Sequence, residues 1–202
     1  DLLPGRKILF EKIKERFDGL IHHGIANVNE LVQDLKSPEK LNLLAKETKI
    51  PRAYLIILKR EVGRLLPKAV AIASFPGIEK PIITKLNQRG IRNTLQFFEQ
   101  CDTRKKRIIF AKEMGIPLDS LEELTMLSDL SRIWGIGPIF CRIFYETGTN
   151  TVKKVANAEA KVLYDKLMHV NDKGKYTRVK FTVKDVAHCI KTAGDLPKTI
   201  EL

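Results

Sequence analysis

Apolar residues recur along most of this chain at helical spacing, and glycines follow several of the apolar runs. Ile82, Ile83 and Leu86 fall on one face of a predicted helix that Gly90 closes. The same arrangement returns at Ile139, Ile143, Phe144 and Gly148. Ser37-Pro38 predicts the start of another helix, which ends near Thr48. The pattern is typical of short helices that end at glycine.

Two prolines predict further helix starts, and strand-like alternation is nearly absent. Pro51 and Pro117 each suit a first helical turn. Alternation appears only from Tyr176 to Val183, within KYTRVKFTV, where it predicts a short strand or an extended connection before a final helix from about Lys184 to Thr192. The whole chain therefore predicts an all-α array of about a dozen short helices whose stacking buries their apolar faces.

The sequence repeats itself at two offsets, which indicates a tandem organisation. A shift of 66 positions aligns Gly24-Ile25 with Gly90-Ile91, Asn27 with Asn93, Ala45-Lys46-Glu47 with Ala111-Lys112-Glu113, and Ile50-Pro51 with Ile116-Pro117. A shift of 58 aligns Gly77-Ile78 with Gly135-Ile136, Leu86 with Phe144, and Gly90 with Gly148. We expect an N-terminal unit over 1–76 with a degenerate repeat, and tandem units with a C-terminal helix over 77–202.

The charge balance of the chain indicates a possible binding partner in addition to a fold. The 202 residues carry 36 Lys and Arg against 24 Asp and Glu, a net charge of +12. The excess is +5, +2 and +5 over residues 1–76, 77–134 and 135–202, so it belongs to the folded chain rather than to a tail. Such a balance favours polyanionic partners such as nucleic acid, although a basic surface can also be merely solvated.

The cysteines and the hydropathy pattern bear on the compartment. Cys101, Cys141 and Cys189 are odd in number and far apart, which argues against a disulfide framework and for a reducing compartment. No apolar run approaches the roughly 20 residues that span a bilayer, and no charged-then-apolar leader is visible at the start. We expect a cytoplasmic protein without a membrane partner.

The stretch LSRIWGIGP from Leu130 to Pro138, followed by a helix that ends at Gly148, resembles a helix-hairpin-helix motif. It is most similar to the non-catalytic hairpin of family X DNA polymerases. The tandem arrangement, with the ending VAHCI through Leu196-Pro197, resembles domain-of-unknown-function family 4332, whose members carry paired hairpins. The resemblance implies a SAM-like, DNA-polymerase hairpin-like fold.

The resemblance also implies a site. The first glycine of the pair, Gly135, would permit a tight reversal between two helices. The second, Gly137, would let backbone amides at the helix start approach a phosphate. In the polymerase relatives, hairpin carbonyls hold a monovalent cation that bridges to the phosphate, and here these would be the carbonyls of Ser131, Ile133 and Ile136. No other cofactor is expected, and the implied binding is largely independent of DNA sequence.

The chain departs from the family pattern at two positions. Trp134 replaces the small or proline residue usual before the first glycine, and it either narrows phosphate access or supplies a stacking surface. The earlier copy keeps Gly77 but places Glu79 where the second glycine belongs. A carboxylate there would repel a phosphate, so the first hairpin is expected to be structural, and the N-terminal unit lacks a recognisable hairpin turn.

Two basic clusters extend the predicted interface. Residues 104–107 carry Arg104, Lys105, Lys106 and Arg107, and a second cluster of Lys173, Lys175, Arg178 and Lys180 surrounds Tyr176, which could stack on a base. The predicted nucleic-acid contacts are Gly135, Ile136, Gly137, Arg142, Gly77, Lys80, Lys105, Lys106, Lys175 and Tyr176. Either cluster could equally be a solvated face.

Catalysis is not expected. Polymerase chemistry needs paired aspartates, and no Asp-x-Asp occurs; the first Asp after Gly137 is Asp165, too distant for a glycosylase of the hairpin class. His22-His23 and His188-Cys189 pair adjacent helical residues whose side chains diverge. A DNA lyase would need only one activated lysine, and the sequence marks none. The main prediction is therefore non-enzymatic DNA binding, with a helical protein-docking module carrying vestigial hairpins as the alternative.

Overall fold

The computed structural model describes residues 4–65, 69–197 and 200–201, and helices make up most of them. In those ranges the α-helices are α1 Ile13–His22, α2 Val28–Asp34, α3 Pro38–Thr48, α4 Arg52–Leu65, α5 Lys80–Gln88, α6 Thr94–Cys101, α7 Arg104–Met114, α8 Leu118–Leu130, α9 Pro138–Glu146, α10 Val152–Ala156, α11 Ala160–Gly174 and α12 Val183–Gly194. Short 3-10 helices span Pro4–Phe10 and Ile72–Ser74. No strand occurs in the described residues, which confirms the all-α prediction.

The chain divides into two compact units, Asp1–Leu66 and Pro67–Leu202. Each unit has a hydrophobic core of its own, built from the apolar faces of its helices. The sequence repeat predicts a boundary at 76/77, whereas Ile72 and Phe75 are buried in the core of the second unit. The two residues precede the turn at Gly77 and pack with the helices that follow it, so the second unit begins before the predicted boundary.

Polar side chains at the N-termini explain where many helices begin. Each accepts a hydrogen bond from a backbone amide of the first turn, and the caps are Asn27, Ser37, Asn93, Thr103, Thr151, Glu159 and Thr182. Removing one such cap typically costs about 1 kcal/mol. Thr182 also forms a reciprocal pair with Asp185, so the start of α12 is fixed by two side chains.

Helices of the two units share bounds after a shift of 66 residues. Helix α3 spans Pro38–Thr48 and helix α7 spans Arg104–Met114, and each follows a hydroxyl cap. Before them, Gly24 and Gly90 have φ angles of 93° and 77°, which suit glycine. The next amide in each case donates to a leucine carbonyl five residues earlier. The sequence offset therefore corresponds to equal local structure.

The segment before the last helix is an extended connection. Residues 175–182 have no regular secondary structure, so the strand alternative for KYTRVKFTV is wrong and the extended alternative is correct. Its side chains pack on α9 instead of pairing with another strand, and α12 then begins at Val183, one residue before the predicted start. No helix in the described ranges is long and apolar enough to cross a bilayer.

Candidate nucleic-acid interface

The turn between α8 and α9 needs glycine at one position. Gly135 has a φ of 91°, a conformation that side-chain-bearing residues rarely adopt. The amide of Ile136 donates to the carbonyl of Ile133 over 3.1 Å, which closes the reversal. The side chains of both isoleucines are buried and anchor the turn to the core of the second unit.

Gly137, in contrast, is not required by backbone conformation or by packing. It is the N-cap of α9, with φ −90° and ψ 173°, values that any residue adopts. A Cβ built on Gly137 meets no atom within 4 Å. The missing side chain therefore has one evident structural effect, which is to leave the start of α9 open.

The open helix start presents backbone donors. Pro138 has no amide proton, and the first amide of α9 with a helical partner is that of Cys141, which donates to Gly137 over 2.9 Å. The amides of Ile139 and Phe140 have no acceptor among the described residues. Free amides at a helix N-terminus carry partial positive charge and are suited to an anion.

The turn at Gly77 also has a glycine with positive φ, but the helix start that follows it is less open. Gly77 has a φ of 87°, and Glu79 occupies the N-cap of α5 without a side-chain cap bond. Pro81 lacks an amide proton, and the amide of Ile82 donates back to the Glu79 carbonyl over 3.0 Å. The exposed Lys80 at the first helical position thus has the only helical amide of this turn that lacks an acceptor among the described residues.

Arg142 does not lie free for a phosphate, which contradicts its predicted role as a nucleic-acid contact. Its side chain is buried, its Nε donates to the Pro76 carbonyl over 2.7 Å, and its Nη2 pairs with Glu123. The guanidinium group also lies against Gly77, where an added Cβ would come within 2.6 Å of Nη2. Arg142 thus connects α9 to the turn at Gly77 and to α8, because its side chain points towards the interior of the second unit.

The basic cluster at 104–107 is divided between surface and core. Lys105 is exposed, and Lys106 pairs with Asp102 over 2.8 Å, a hydrogen bond that lowers the pKa of the Asp102 carboxyl. Arg107 is fully buried and donates to Glu122 and to the carbonyls of Cys101 and Glu201. Arg107 therefore holds the C-terminal residues against α6 and α8 and cannot serve as a surface cation.

The second basic cluster is more available. Residues 173–184 contain the five cations Lys173, Lys175, Arg178, Lys180 and Lys184 and no acid. None of the five has a salt-bridge partner within the residues that the structure describes. Lys175 itself ends α11 in a left-handed conformation, with a φ of 50°, and its side chain is exposed.

Tyr176 is held by the protein rather than presented as a stacking surface. Its ring lies against Gly174, where an added Cβ would clash with the ring. Its hydroxyl donates to Glu146 at the end of α9, and that hydrogen bond raises the pKa of the Tyr176 phenol. Tyr176 therefore fixes the start of the extended segment instead of offering a free ring face.

The extended segment runs along α9 towards the turn at Gly135. Tyr176 contacts Glu146 at the C-terminal end of α9, and the ring of Phe181 packs edge-on against Phe140 near its start, with centroids 5.3 Å apart. Tyr164 of α11 supports Phe181 from another side at 5.5 Å. The path of the segment brings Val179 and Lys180 beside the turn at Gly135.

A cleft of about 340 Å³ lies where the extended segment meets the turn at Gly135. Aromatic and aliphatic side chains form most of its wall, with a few polar groups at the rim; the lining residues are Trp134, Gly135, Ile136, Phe140, Phe144, Leu167, Val179, Lys180, Phe181, Asp185, Val186, His188 and Cys189. Trp134 is 50% exposed and meets His188 edge-on at 5.4 Å. The alternation of Val179 and Phe181 is visible in the sequence, but the surface against which these side chains pack could not be predicted from it.

The predicted cation site involves the same turn. Ser131, Ile133 and Ile136 are buried, and the carbonyl of Ile133 already accepts the amide of Ile136. A carbonyl oxygen can accept a second partner, so the three carbonyls stay a prediction. Within the described ranges, no group of three or more His, Cys, Asp or Glu residues is placed to hold a metal ion.

The fold places this chain among all-α proteins of short helices with glycine-containing turns. More narrowly, it belongs to the family described as Domain of unknown function (DUF4332), whose model matches residues 76–196. The matched range contains the turns at Gly77 and Gly135, helices α5 to α12 and the extended segment. No curated protein and no solved structure matches the chain, and the similarity of the hairpin to that of family X polymerases stays a prediction.

Proposed function

We propose that the protein binds DNA, largely independently of sequence, through contacts of the second hairpin to backbone phosphate. The observation that carries the proposal concerns Gly137, because neither its backbone conformation nor its packing requires glycine. Without a side chain at this N-cap, two amides of α9 have no acceptor among the described residues. A phosphate oxygen at this helix start would accept hydrogen bonds from those amides.

The neighbouring charge supports the same proposal. The acid-free stretch 173–184 brings Lys180 to the cleft beside Gly135. A phosphodiester backbone that touches the amides of α9 would continue along these cations. Contacts of this kind position a duplex or a single strand without reading bases, so no sequence preference is expected from them. The proposal assigns no catalytic step to the chain, and the three free cysteines fit a cytoplasmic location.

The test is the salt dependence of binding. Fluorescence anisotropy of a labelled duplex, titrated with the full chain at about 50 mM and about 200 mM salt, should show a steep loss of affinity as counterions compete for phosphate. Absence of binding at the lower salt concentration, both to the duplex and to a single strand of equal length, would overturn the proposal. Trapping with borohydride on abasic DNA adds a check for lyase chemistry, because a covalent adduct formed together with strand cleavage would indicate that a lysine forms an imine with the abasic sugar and acts as a lyase.

The alternative function is a helical protein-docking module. One observation favours it: Phe10, Ile13, Phe17 and Ile21 of the first unit are exposed, and the last three recur at helical spacing on α1. A docking module would bind its partner through apolar contact, with little loss at higher salt and no affinity for the labelled duplex.

A further inference from the structure

The cleft beside the second hairpin has the features of a ring-binding site. Trp134 stands at its rim with half of its surface exposed, immediately before the turn at Gly135. Phe181 packs edge-on against both Phe140 and Tyr164, so this part of the wall is preformed. The volume of about 340 Å³ lies at the small end of ligand pockets, which suits one planar ring system and not an extended ligand.

The polar groups of the cleft favour a ligand whose ring enters the cleft and whose negative charge stays at the rim. Lys180 has no ion-pair partner within the described residues. The one acid of the lining, Asp185, accepts bonds from the amide and hydroxyl of Thr182, which lower the pKa of its carboxyl. Asp185 is thereby committed to the cap of α12, and the neighbouring surface carries a positive excess.

We propose that this cleft takes one unpaired nucleobase of a DNA strand, with Trp134 as its stacking partner. The inference rests on the proposed function, because the phosphate next to that base would lie at the open start of α9. Gly135 and Ile136 belong both to the turn and to the wall of the cleft, so a base in the cleft and a phosphate at α9 would be contacts of one nucleotide step. Stacking is available to every base, since each has a flat π face.

The proposal implies a preference for strands with unpaired bases. In a closed duplex the bases are stacked on each other, and moving one into the cleft would require it to be unstacked and unpaired first. A single strand or an unpaired end carries no such cost. The expected order of affinity is therefore single strand or overhang above blunt duplex of equal length, at equal salt.

Trp134 provides a direct readout, because it is the sole tryptophan of the chain. An unlabelled single-stranded oligodeoxynucleotide should quench the tryptophan emission of the full chain, with the same midpoint as the anisotropy of a labelled copy. A blunt duplex should bind with weaker quenching. Trp134→Ala should lower single-strand affinity roughly tenfold while duplex affinity changes little, and Trp134→Phe should restore most of it.

A matched control is available on the same unit. Val162 of α11 is exposed to a similar extent, 52% against 50% for Trp134, and does not line the cleft. Val162→Ala should leave both affinities unchanged. Circular dichroism of each variant separates a change in binding from a change in fold, and because Trp134 is half-exposed we expect its variants to stay folded.

The outcomes distinguish the two proposals. If single strand and duplex bind equally, without quenching and without an effect of Trp134→Ala, the base site is overturned and phosphate binding stands. If neither binds at low salt, the proposed function fails and the base site fails with it. If an uncharged peptide of leucine and serine shifts the tryptophan emission to shorter wavelength while oligonucleotides do not, the cleft is a protein-docking site and the base proposal is overturned.

Discussion

The guanidinium group of Arg142 on α9 lies against the Cα of Gly77, which belongs to the turn before α5. An added Cβ on Gly77 would come within 2.6 Å of Nη2 of Arg142 and 2.8 Å of Cζ. The same guanidinium donates to the Pro76 carbonyl. Arg142 belongs to the helix that follows the second turn, so this contact couples α9 to the first turn.

We expect Gly77→Ala to destabilise the protein by about 2 kcal/mol or more, because the φ of 87° strains any side chain and the new methyl group displaces Arg142. Urea unfolding measures the change. Gly137→Ala is the matched control and should shift the free energy of unfolding by less than about 1 kcal/mol, because that position has an ordinary conformation and open space. Equal losses would contradict the assignment of Gly77 as a packing glycine.

Gly137→Glu should lower DNA affinity roughly tenfold with an unchanged melting temperature, because a carboxylate at the start of α9 competes with a phosphate for the free amides. The fold already accepts Glu79 at the N-cap of α5. Anisotropy with a labelled duplex measures the affinity. Gly137→Gln, equal in size and uncharged, separates charge from bulk and should bind more tightly than Gly137→Glu; parental affinity in Gly137→Glu would assign Gly137 to structure alone.

Glu79→Gly should raise DNA affinity by less than Gly137→Glu lowers it. After removal of the carboxylate, Pro81 still lacks an amide proton and the Ile82 amide still donates to the carbonyl of residue 79, so the start of α5 gains few free donors. The same anisotropy titration gives the ratio. A rise as large as the fall in Gly137→Glu would mean that the Glu79 carboxylate alone accounts for the difference in DNA affinity between the starts of α5 and α9.

The two basic clusters should differ in their effect on the salt dependence. Lys175→Gln with Lys180→Gln should reduce the slope of log affinity against log salt by about 0.9 for each phosphate that the protein no longer neutralises. Lys105→Gln with Lys106→Gln removes the same charge, but Lys106 is already paired with Asp102. We therefore expect a smaller change from the second pair, and the reverse order would place the interface on α7.

The cysteines should respond to pH in a direction that burial sets. Burial raises the pKa of the Cys101 thiol to about 12 and that of Cys189 to about 11, whereas an unfolded thiol titrates near 8.5, as a rough reference. As pH rises above that value the unfolded state loses its protons first, so stability is present below about 8.5 and is lost towards the folded pKa values. Urea unfolding at pH 8 and pH 10 tests this, and Cys101→Ala should weaken the dependence.

The helices and their ends are determined by local features that can be recognised in the sequence. Ser37 before Pro38 and the glycine at 90 set helix bounds through hydrogen bonds and backbone freedom within a few residues. The apolar spacing then fixed the helical period, and together these predicted an all-α chain. Gly135 was readable for the same reason, because a tight reversal needs its positive φ.

Only the tertiary structure decided which polar residues face inward and which surfaces meet. The sequence predicts Arg107 and Arg142 as surface cations, but both are buried. Arg107 donates to the carbonyl of Glu201 and Arg142 to that of Pro76, and both acceptors are distant in the sequence. The cleft at Trp134 also depends on the extended segment returning along α9. Helix caps act within one turn, whereas burial and juxtaposition depend on contacts between residues far apart in the chain, which no local pattern contains.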